Sequence, residues 1–513
     1  MLTETFYKKL LPSIFSLAVV ADILGGLRFP NGSPAPYSDD FFYYLKVAQS
    51  LVTRHISSFD GSTLTNGYHP LWMLVLVSLF VLFKGKAFFL ALGAVTAGAV
   101  IALFFLCRAL CQLLKASSLV SALISLLVCF WAEKLMKIGM EVTIAVPLVF
   151  ALAVYVRRAD FRWTARQCLA YGFLSSLAIL ARLDVALFVL LLLPLQLLAT
   201  WRDGPARWLC RGVLFAAGGF LLPVYFAMNY LYFGALTPIS SAAKHLKPSI
   251  LPSLEPVAIL VRGALPGEHY AGLLFVFPLF ISGLGLLVSI RRLSGRREPF
   301  SPLMMAALLF PFLNLGVLSM LSDWPLWPWY FHPLALSCTF SLILCSRTSI
   351  LRRAFGPRRY LQSVIAVLLL VGFAGRIVYG MVRPTAGVDP MYEAASDIAA
   401  FDKGHRGRYA MGDRAGRVGY LLQDPLIQLE GLVMDKDYLR TIRARRNLIG
   451  VLRDYKVRYY ISTNPELIGS CYRFIEPAKA GPHSPKMEGE LCGQPLMMVS
   501  HGGTTTAIFA VQP

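Results

Sequence analysis

Two neighbouring carboxylates, Asp39 and Asp40, head the segment DDFFYYLKVAQSLV. Adjacent acids repel each other, and partial burial beside a membrane raises the pKa of at least one of them. A carboxyl group placed so can take a proton from an acceptor hydroxyl as a general base. Apolar residues Phe41, Tyr44, Leu45, Ala48, Leu51 and Val52 give the segment the pattern of an amphipathic helix lying along a membrane surface. The acids would then be its N-cap and first-turn charges. Capping alone also accounts for such a pair, and the residues do not decide between Asp39 and Asp40.

The same loop closes with Thr65-Asn66-Gly67-Tyr68-His69-Pro70-Leu71-Trp72, a turn followed by interfacial aromatics. His69 is able to hold a phosphate or simply to hydrogen-bond a loop carbonyl. Farther on, Lys244, His245 and Lys247 follow Thr237-Pro238 and a run of small residues. A cation there suits the phosphate of a lipid carrier at headgroup depth; it equally suits a lysine that snorkels to headgroups. Glu141, after Gly139-Met140, stands at a helix start where a negative charge is favourable. Arg182 and Asp184 are expected to pair within a hairpin. Trp329, Tyr330 and His332 lie in an aromatic cluster, WPWYFHP, that fits an interfacial belt or a wall for a sugar ring. No His/Cys spacing suggests zinc, and no convincing nucleotide-sugar Asp-x-Asp signature or Rossmann glycine motif is present.

The elements that must position these groups are membrane spans. Of 513 residues, 56% are hydrophobic and 15% charged, where a soluble protein has about 25% charged. Mean hydropathy is +0.60, which excludes an ordinary cytosolic enzyme and a disordered chain. Apolar segments fall near 10–28, 70–83, 87–106, 118–131, 142–156, 169–181, 184–200, 211–231, 270–290, 302–321, 332–346 and 361–380. The first, after two lysines, reads as an uncleaved first helix rather than a signal peptide.

The net charge of +21 belongs mostly to loops. Those at 157–166, 201–211, 291–298 and 346–359 hold sixteen arginines, and the positive-inside rule puts all four in the cytoplasm. Nucleic acid is therefore not an expected partner. Residues 30–69, 132–141, 232–269, 322–331 and everything beyond 381 fall outside. A parity conflict follows, because twelve crossings would return the C-terminus to the cytoplasm. Either 70–106 contains one crossing and a re-entrant piece, or a span is hidden, so eleven to thirteen helices are expected. Charge within the spans is sparse, with Arg376 in the last of them. Residues 385–513 alternate short β-like runs with helical ones, enough for one small α/β domain. It carries Cys471 and Cys492, an even pair able to form a disulfide in an oxidising compartment.

Taken in order, these motifs resemble the GT-C membrane glycosyltransferases that use polyprenyl-phosphate sugars, including protein O-mannosyltransferases, lipid A aminoarabinose transferases and mycobacterial arabinofuranosyltransferases. The resemblance rests on SDDFFYYLKVAQSLV, TNGYHPLW, GMEVTIAVPL, ARLDVALFVLLL, NYLYFGALTPISSAAK, WPWYFHPL and, in the tail, GDRAGRVGY and LEGLVMDKDYL. It implies a polytopic α-helical membrane protein of GT-C type. Residues 1–384 would form the transmembrane domain, with a catalytic first outer loop at 30–69, and 385–513 a small extracytoplasmic α/β domain. Asp40 would fall on the catalytic acid, with Asp39 beside it. Lys244 would bind the lipid phosphate, assisted by His69 or His245, although some relatives carry lysine at the place of His69. Glu141, Trp329, Tyr330 and His332 would touch substrate.

The resemblance further implies inverting transfer of a sugar to an envelope glycan, lipid or protein acceptor, in a multi-pass protein of a bacterial inner membrane with its N-terminus in the cytoplasm. No cofactor is expected; a divalent metal, used by some members, is not favoured by a single acidic pair. Asp413, Arg414, Arg417 and Glu430 of the tail are expected to build the domain or to touch an acceptor. Two other classes remain: a lipid-linked glycan ligase or polymerase relying on Lys244, His245, Lys247, Arg262 and His269, and a non-enzymatic lipid-carrier flippase.

Overall fold

The computed structural model describes residues 10–27, 37–159, 163–200, 203–247, 252–253, 273–294, 301–347 and 389–512, with isolated positions between 368 and 375. Arg262, His269, Arg376 and nearly all of the apolar segment 361–380 lie outside the described residues. Six helices are long and apolar enough to cross a membrane: Lys86–Leu113, Ser118–Met136, Val142–Ala159, Phe275–Arg292, Pro302–Leu321 and Pro328–Ser346. A pair, Pro205–Gly218 and Leu221–Phe233, is bent by 51°, and four apolar helices are shorter: Leu11–Leu24, Pro70–Leu82, Ala165–Ala181 and Val185–Ala199. The protein is a multi-pass, mostly helical membrane protein.

Helix Pro70–Leu82 is where the parity conflict falls. Its 13 residues span only about 20 Å, short of the ~30 Å hydrocarbon core. It packs along helix Asp39–Arg54, and its first turn is pinned where Trp72 Nε1 donates to Gly139 O at 3.0 Å. At its far end Phe80 meets Phe88 (ring centroids 5.0 Å), and neighbouring Phe89 packs on Tyr37 at 5.8 Å, just before helix Asp39–Arg54. Both ends therefore sit at one end of the bundle. From there Lys86–Leu113 runs to the opposite end, where Leu114 O accepts a hydrogen bond from Arg347. By length and composition the described residues offer six spans, or seven with the bent pair as one, beside the three other short apolar helices.

One charged cluster was not visible from hydropathy. Lys137 pairs with Asp22 of the first helix and, at 2.7 Å, with Glu133 one turn before it. Buried carboxylates of this kind persist only when paired.

The tail folds as a small α/β unit. A five-stranded sheet has the order β2-β1-β3-β8-β7, with β1 (Tyr409–Met411) parallel to β2 (Leu426–Gln428) and β3 (Tyr459–Thr463). Strand β8 (Thr504–Ala510) is antiparallel to β3 and to β7 (Met497–His501). A second sheet, β4 (Glu466–Ile468), β5 (Cys471–Glu476) and β6 (Met487–Cys492), is antiparallel, and its opposed residues Cys471 and Cys492 form a disulfide. The run DYLRTIRARRNLIGVLRDY, helical by pattern, is broken into Lys436–Arg443 and Leu448–Asp454. Arg445 takes a left-handed φ of 50°, and the Asn447 side chain accepts from Gly450 N to start the second helix.

The re-entrant assignment has a direct check. In a background without free thiols, cysteines placed at Lys84 and at Lys479 are expected to react with an impermeant maleimide from the same side of sealed vesicles, and a cysteine kept at Cys210 from the other. Labelling of Lys84→Cys together with Cys210 would make Pro70–Leu82 a full crossing.

Candidate functional site

Helix Asp39–Arg54 does not lie open on a surface. Phe41, Phe42, Tyr43, Tyr44, Leu45, Val47, Ala48 and Ser50 are all buried, on every side, because the bundle covers one flank and the C-terminal domain another. Its two acids part company at the first turn. Asp39 is no cap for its own helix; Oδ2 accepts from Gly416 N and Oδ1 from Arg417 N, both at 2.9 Å. A Cβ on Gly416 would stand 2.2 Å from the Asp39 carbonyl oxygen, so this close approach requires glycine. Burial raises the pKa of Asp39, and the two amides and the Arg417 charge offset only part of that rise.

Asp40, about 100° further round the helix, lines a cavity of about 330 Å³ and has no hydrogen-bond partner among the described residues. Burial pushes its pKa up to about 6; Lys244 opposes the rise, while Asp39, Glu141 and Asp413 add to it. Lys244 lines the same cavity from the end of helix Ile239–Lys244. Asn66 fixes that helix: Oδ1 accepts from Ile239 N at 2.9 Å and Nδ2 donates to Thr237 O at 3.2 Å. The Lys244 ammonium donates to Tyr330 Oη at 3.0 Å and lies 5.5 Å from that ring. Burial alone would lower its pKa, but Tyr330 and Asp40 outweigh it, so Lys244 stays charged. No carboxylate lies within salt-bridge distance of it among the described residues.

The cavity floor is a closed ion network. Glu141 pairs with Arg182, whose Nε also reaches Asp184 Oδ2 at 2.9 Å, as the hairpin spacing suggested. Tyr44 Oη donates to Glu141 Oε2 at 3.1 Å. Burial favours protonation of Glu141, but the Arg182 charge beside it holds its pKa below the ordinary value. Burial likewise acts against Asp184, where the Arg182 charge prevails. Arg182 stacks 5.0 Å from the Tyr330 ring, so that ring meets both cations. Its own charge is answered by two acids.

The histidines are neutral partners here. His69 Nδ1 accepts from Leu183 N at 3.3 Å, leaving the proton on Nε2, 3.8 Å from Glu141 Oε1. Burial lowers its pKa despite Glu141. His245 lines the cavity, with Nδ1 3.4 Å from Ser241 Oγ; burial and then Lys244 lower its pKa. His332 is buried 3.7 Å from Asp184 and does not line the cavity, whereas Trp329 and Tyr330 do. Of the basic residues the sequence singles out, Lys244 alone brings an unneutralised charge to this cavity.

Several contributors escaped sequence reading. Asn66 stood inside a quoted motif but read only as a turn. Leu432 and Val433 of the C-terminal domain roof the cavity. Gly67 lets the first loop touch the Leu432 carbonyl, where a Cβ would come within 2.0 Å. Glu430 is buried beside them, taking a 3.1 Å bond from Gln428 Nε2; burial and then Asp413 raise its pKa well above the ordinary value. Contacts between distant segments leave no local signal. Among the described residues, no three His, Cys, Asp or Glu side chains gather as a metal-binding group.

No family model matches the chain, and no curated protein sequence matches it. Solved structures do. The crystal structure of ArnT from Cupriavidus metallidurans in the apo state superposes with a TM-score of 0.52 at 14% identity, covering 88% of this chain and 92% of that one. The chain has the GT-C fold. The Archaeoglobus fulgidus oligosaccharyltransferase, tethered with an acceptor peptide, is also similar, with a TM-score of 0.48 at 12% identity over 90% of this chain and 70% of that one. The GT-C fold here comprises the helical bundle, with the re-entrant helix at its site end, and the small α/β unit that covers the cavity.

The raised pKa of Asp40 has a sign that stability can report. Between the ordinary carboxylate range and about 6, folded Asp40 keeps a proton that the unfolded chain releases, so its contribution to stability is lost as pH rises through that window. Asp40→Asn is expected to unfold at a higher temperature than wild type at pH 8, and at the same temperature at pH 4. A lower melting temperature at pH 8 would mean that the Asp40 carboxylate is held by a partner.

Proposed function

We propose that this protein is an inverting glycosyltransferase that moves a sugar from a polyprenyl-phosphate donor to an acceptor hydroxyl at the outer face of a bacterial inner membrane. The observation that carries the reading is the placement of Asp40 and Lys244 in one cavity, charged oppositely yet not paired with each other. The GT-C fold supports it.

In this mechanism the acceptor oxygen attacks the anomeric carbon while Asp40 takes the hydroxyl proton. The bond from that carbon to the phosphate oxygen breaks, and the electron pair leaves with the polyprenyl phosphate. Lys244 meets the charge that develops there, and Tyr330 holds the ammonium in place. Fixed charges that need not reorganise are worth most in such a water-poor site. In the His69–Glu141–Arg182–Asp184 network that sets the floor, Arg182 is answered by two acids, so it offers no free cation to compete with Lys244. Glycans, lipids and proteins are the acceptor classes. In this orientation the N-terminus is cytoplasmic and the α/β domain extracytoplasmic, and no step requires a cofactor.

The test is transfer of radiolabelled sugar from a panel of polyprenyl-phosphate donors into envelope lipids by the purified protein. Asp40→Asn is expected to lower turnover by about 10²–10⁴-fold, the usual worth of a general base. Lys244→Met is expected to abolish transfer. Wild-type turnover should climb as pH rises through about 6, where Asp40 loses its proton. Equal turnover by wild type and Asp40→Asn would remove Asp40 from the chemistry.

A further inference from the structure

Helix Asp39–Arg54 holds a second helix at both of its ends. Ala415–Leu421 of the C-terminal domain presents its first amides, Gly416 N and Arg417 N, to the Asp39 carboxylate. At its other end, the Leu422 carbonyl accepts from Lys46 Nζ at 3.2 Å. Asp39 and Lys46 are seven residues apart, which puts them on one face of their helix, about 10 Å from each other. The seven-residue partner helix is also about 10 Å long. A negative group thus meets the positive end of the partner's dipole and a positive group its negative end, the arrangement that helix electrostatics favours.

Between the clamps the contact is tight. Phe42 packs on Tyr420 at 5.6 Å, Arg417 lies 5.3 Å from the Phe42 ring, and Arg417 Nη2 donates to Tyr37 O at 2.7 Å. A Cβ on Gly419 would come within 2.3 Å of the Phe59 ring. The domain that carries this helix also carries the cavity roof, Leu432 and Val433.

We propose that Asp39 and Lys46 are positioning residues which, by gripping helix Ala415–Leu421 at both ends, seat the C-terminal domain over the cavity and keep Asp40 out of water. The functional meaning of this rests on Asp40 acting as the base; the structural claim does not. Asp40 is faced by Asp39 on its own helix, Lys244 on helix Ile239–Lys244, Glu141 before helix Val142–Ala159, and Asp413 and Glu430 in the C-terminal domain. Lys46 is not one of these neighbours, which allows a test by sign. Removing a positive charge acts directly to raise the pKa of a carboxyl group or to leave it unchanged. Loosening the domain admits water and lowers it.

The experiment uses the full chain in lipid nanodiscs and no sugar donor, so its failure is distinct from failure of the transferase reading. Carbodiimide with glycine ethyl ester, which modifies protonated carboxyl groups, is applied across pH 4–8, and reaction at Asp40 is followed by peptide mass spectrometry. Hydrogen exchange is followed in the peptides containing Gly416, Arg417 and Leu422. Wild type is expected to give an Asp40 midpoint near 6. In Lys46→Met the midpoint falls, and exchange at Gly416 and Arg417, at the far end of the clamped helix, quickens by roughly 2- to 30-fold, the range for a lost helix cap. Asp39→Ala, read by exchange alone because it also removes a charge beside Asp40, quickens exchange at both ends. An unchanged or raised midpoint in Lys46→Met, with Gly416 and Arg417 still protected, would overturn the proposal, as would loss of protection at only the mutated end of each variant.

Discussion

The site depends on holding two opposite charges near each other without letting them meet. A lysine and an aspartate in a partly dry cavity would close into a salt bridge if their backbones allowed it, since attraction between charges strengthens as water is excluded. Here both are tethered from behind. The Asp40 backbone belongs to a helix buried on all sides, while Lys244 ends a short helix pinned by Asn66 and has its ammonium drawn toward Tyr330. The result is a carboxyl group poised near neutrality opposite a permanent cation, with room between them for a reacting group.

This arrangement is costly to the fold. A half-buried acid with no hydrogen-bond partner costs the fold stability whenever it is ionised. The neighbouring network shows the alternative: Glu141, Arg182 and Asp184 are at least as deeply placed, yet each is paired and fixed in its charged form. The two patterns lie within one cavity. Paired charges build its floor, and the unpaired ones are left for the substrate. The C-terminal domain belongs to the same design. Beyond the clamp at Asp39 and Lys46, buried Asp323, just after helix Pro302–Leu321, accepts from His483 N at 2.9 Å and Ser484 N at 3.0 Å, so both of these aspartates anchor the domain through its backbone amides.

The bundle was largely legible in the sequence because hydropathy acts over whole helices. Arginine loops gave the parity argument, and its one conflict fell on residues 70–83, where the structure has a 13-residue apolar helix packed along helix Asp39–Arg54. Composition could not show that Pro70–Leu82 lies beside helix Asp39–Arg54, since an apolar re-entrant helix and a span look alike residue by residue. The acidic pair was legible as a candidate but not its division of labour. That division depends on Gly416 and Arg417, more than 370 residues away, whose amides take up both oxygens of Asp39. His69 and His245 were read as possible phosphate cations; both line the cavity with a lowered imidazole pKa, and His69 Nδ1 is taken by the Leu183 amide, a matter of surroundings and not of residue type. Asn66 carried the reverse lesson, a turn residue by pattern and a bridge between loops in fact.

The central claim is that the cavity receives a lipid phosphate at Lys244 with Asp40 facing it. The most direct measurement is a cryo-EM structure of the protein in nanodiscs with an added polyprenyl phosphate, the expected leaving group. The account predicts phosphate density within hydrogen-bond reach of the Lys244 ammonium and beside Tyr330, with Asp40 across the cavity and free of the lipid. Phosphate held elsewhere, with Lys244 closed onto Asp40 or still bound only to Tyr330, would contradict it.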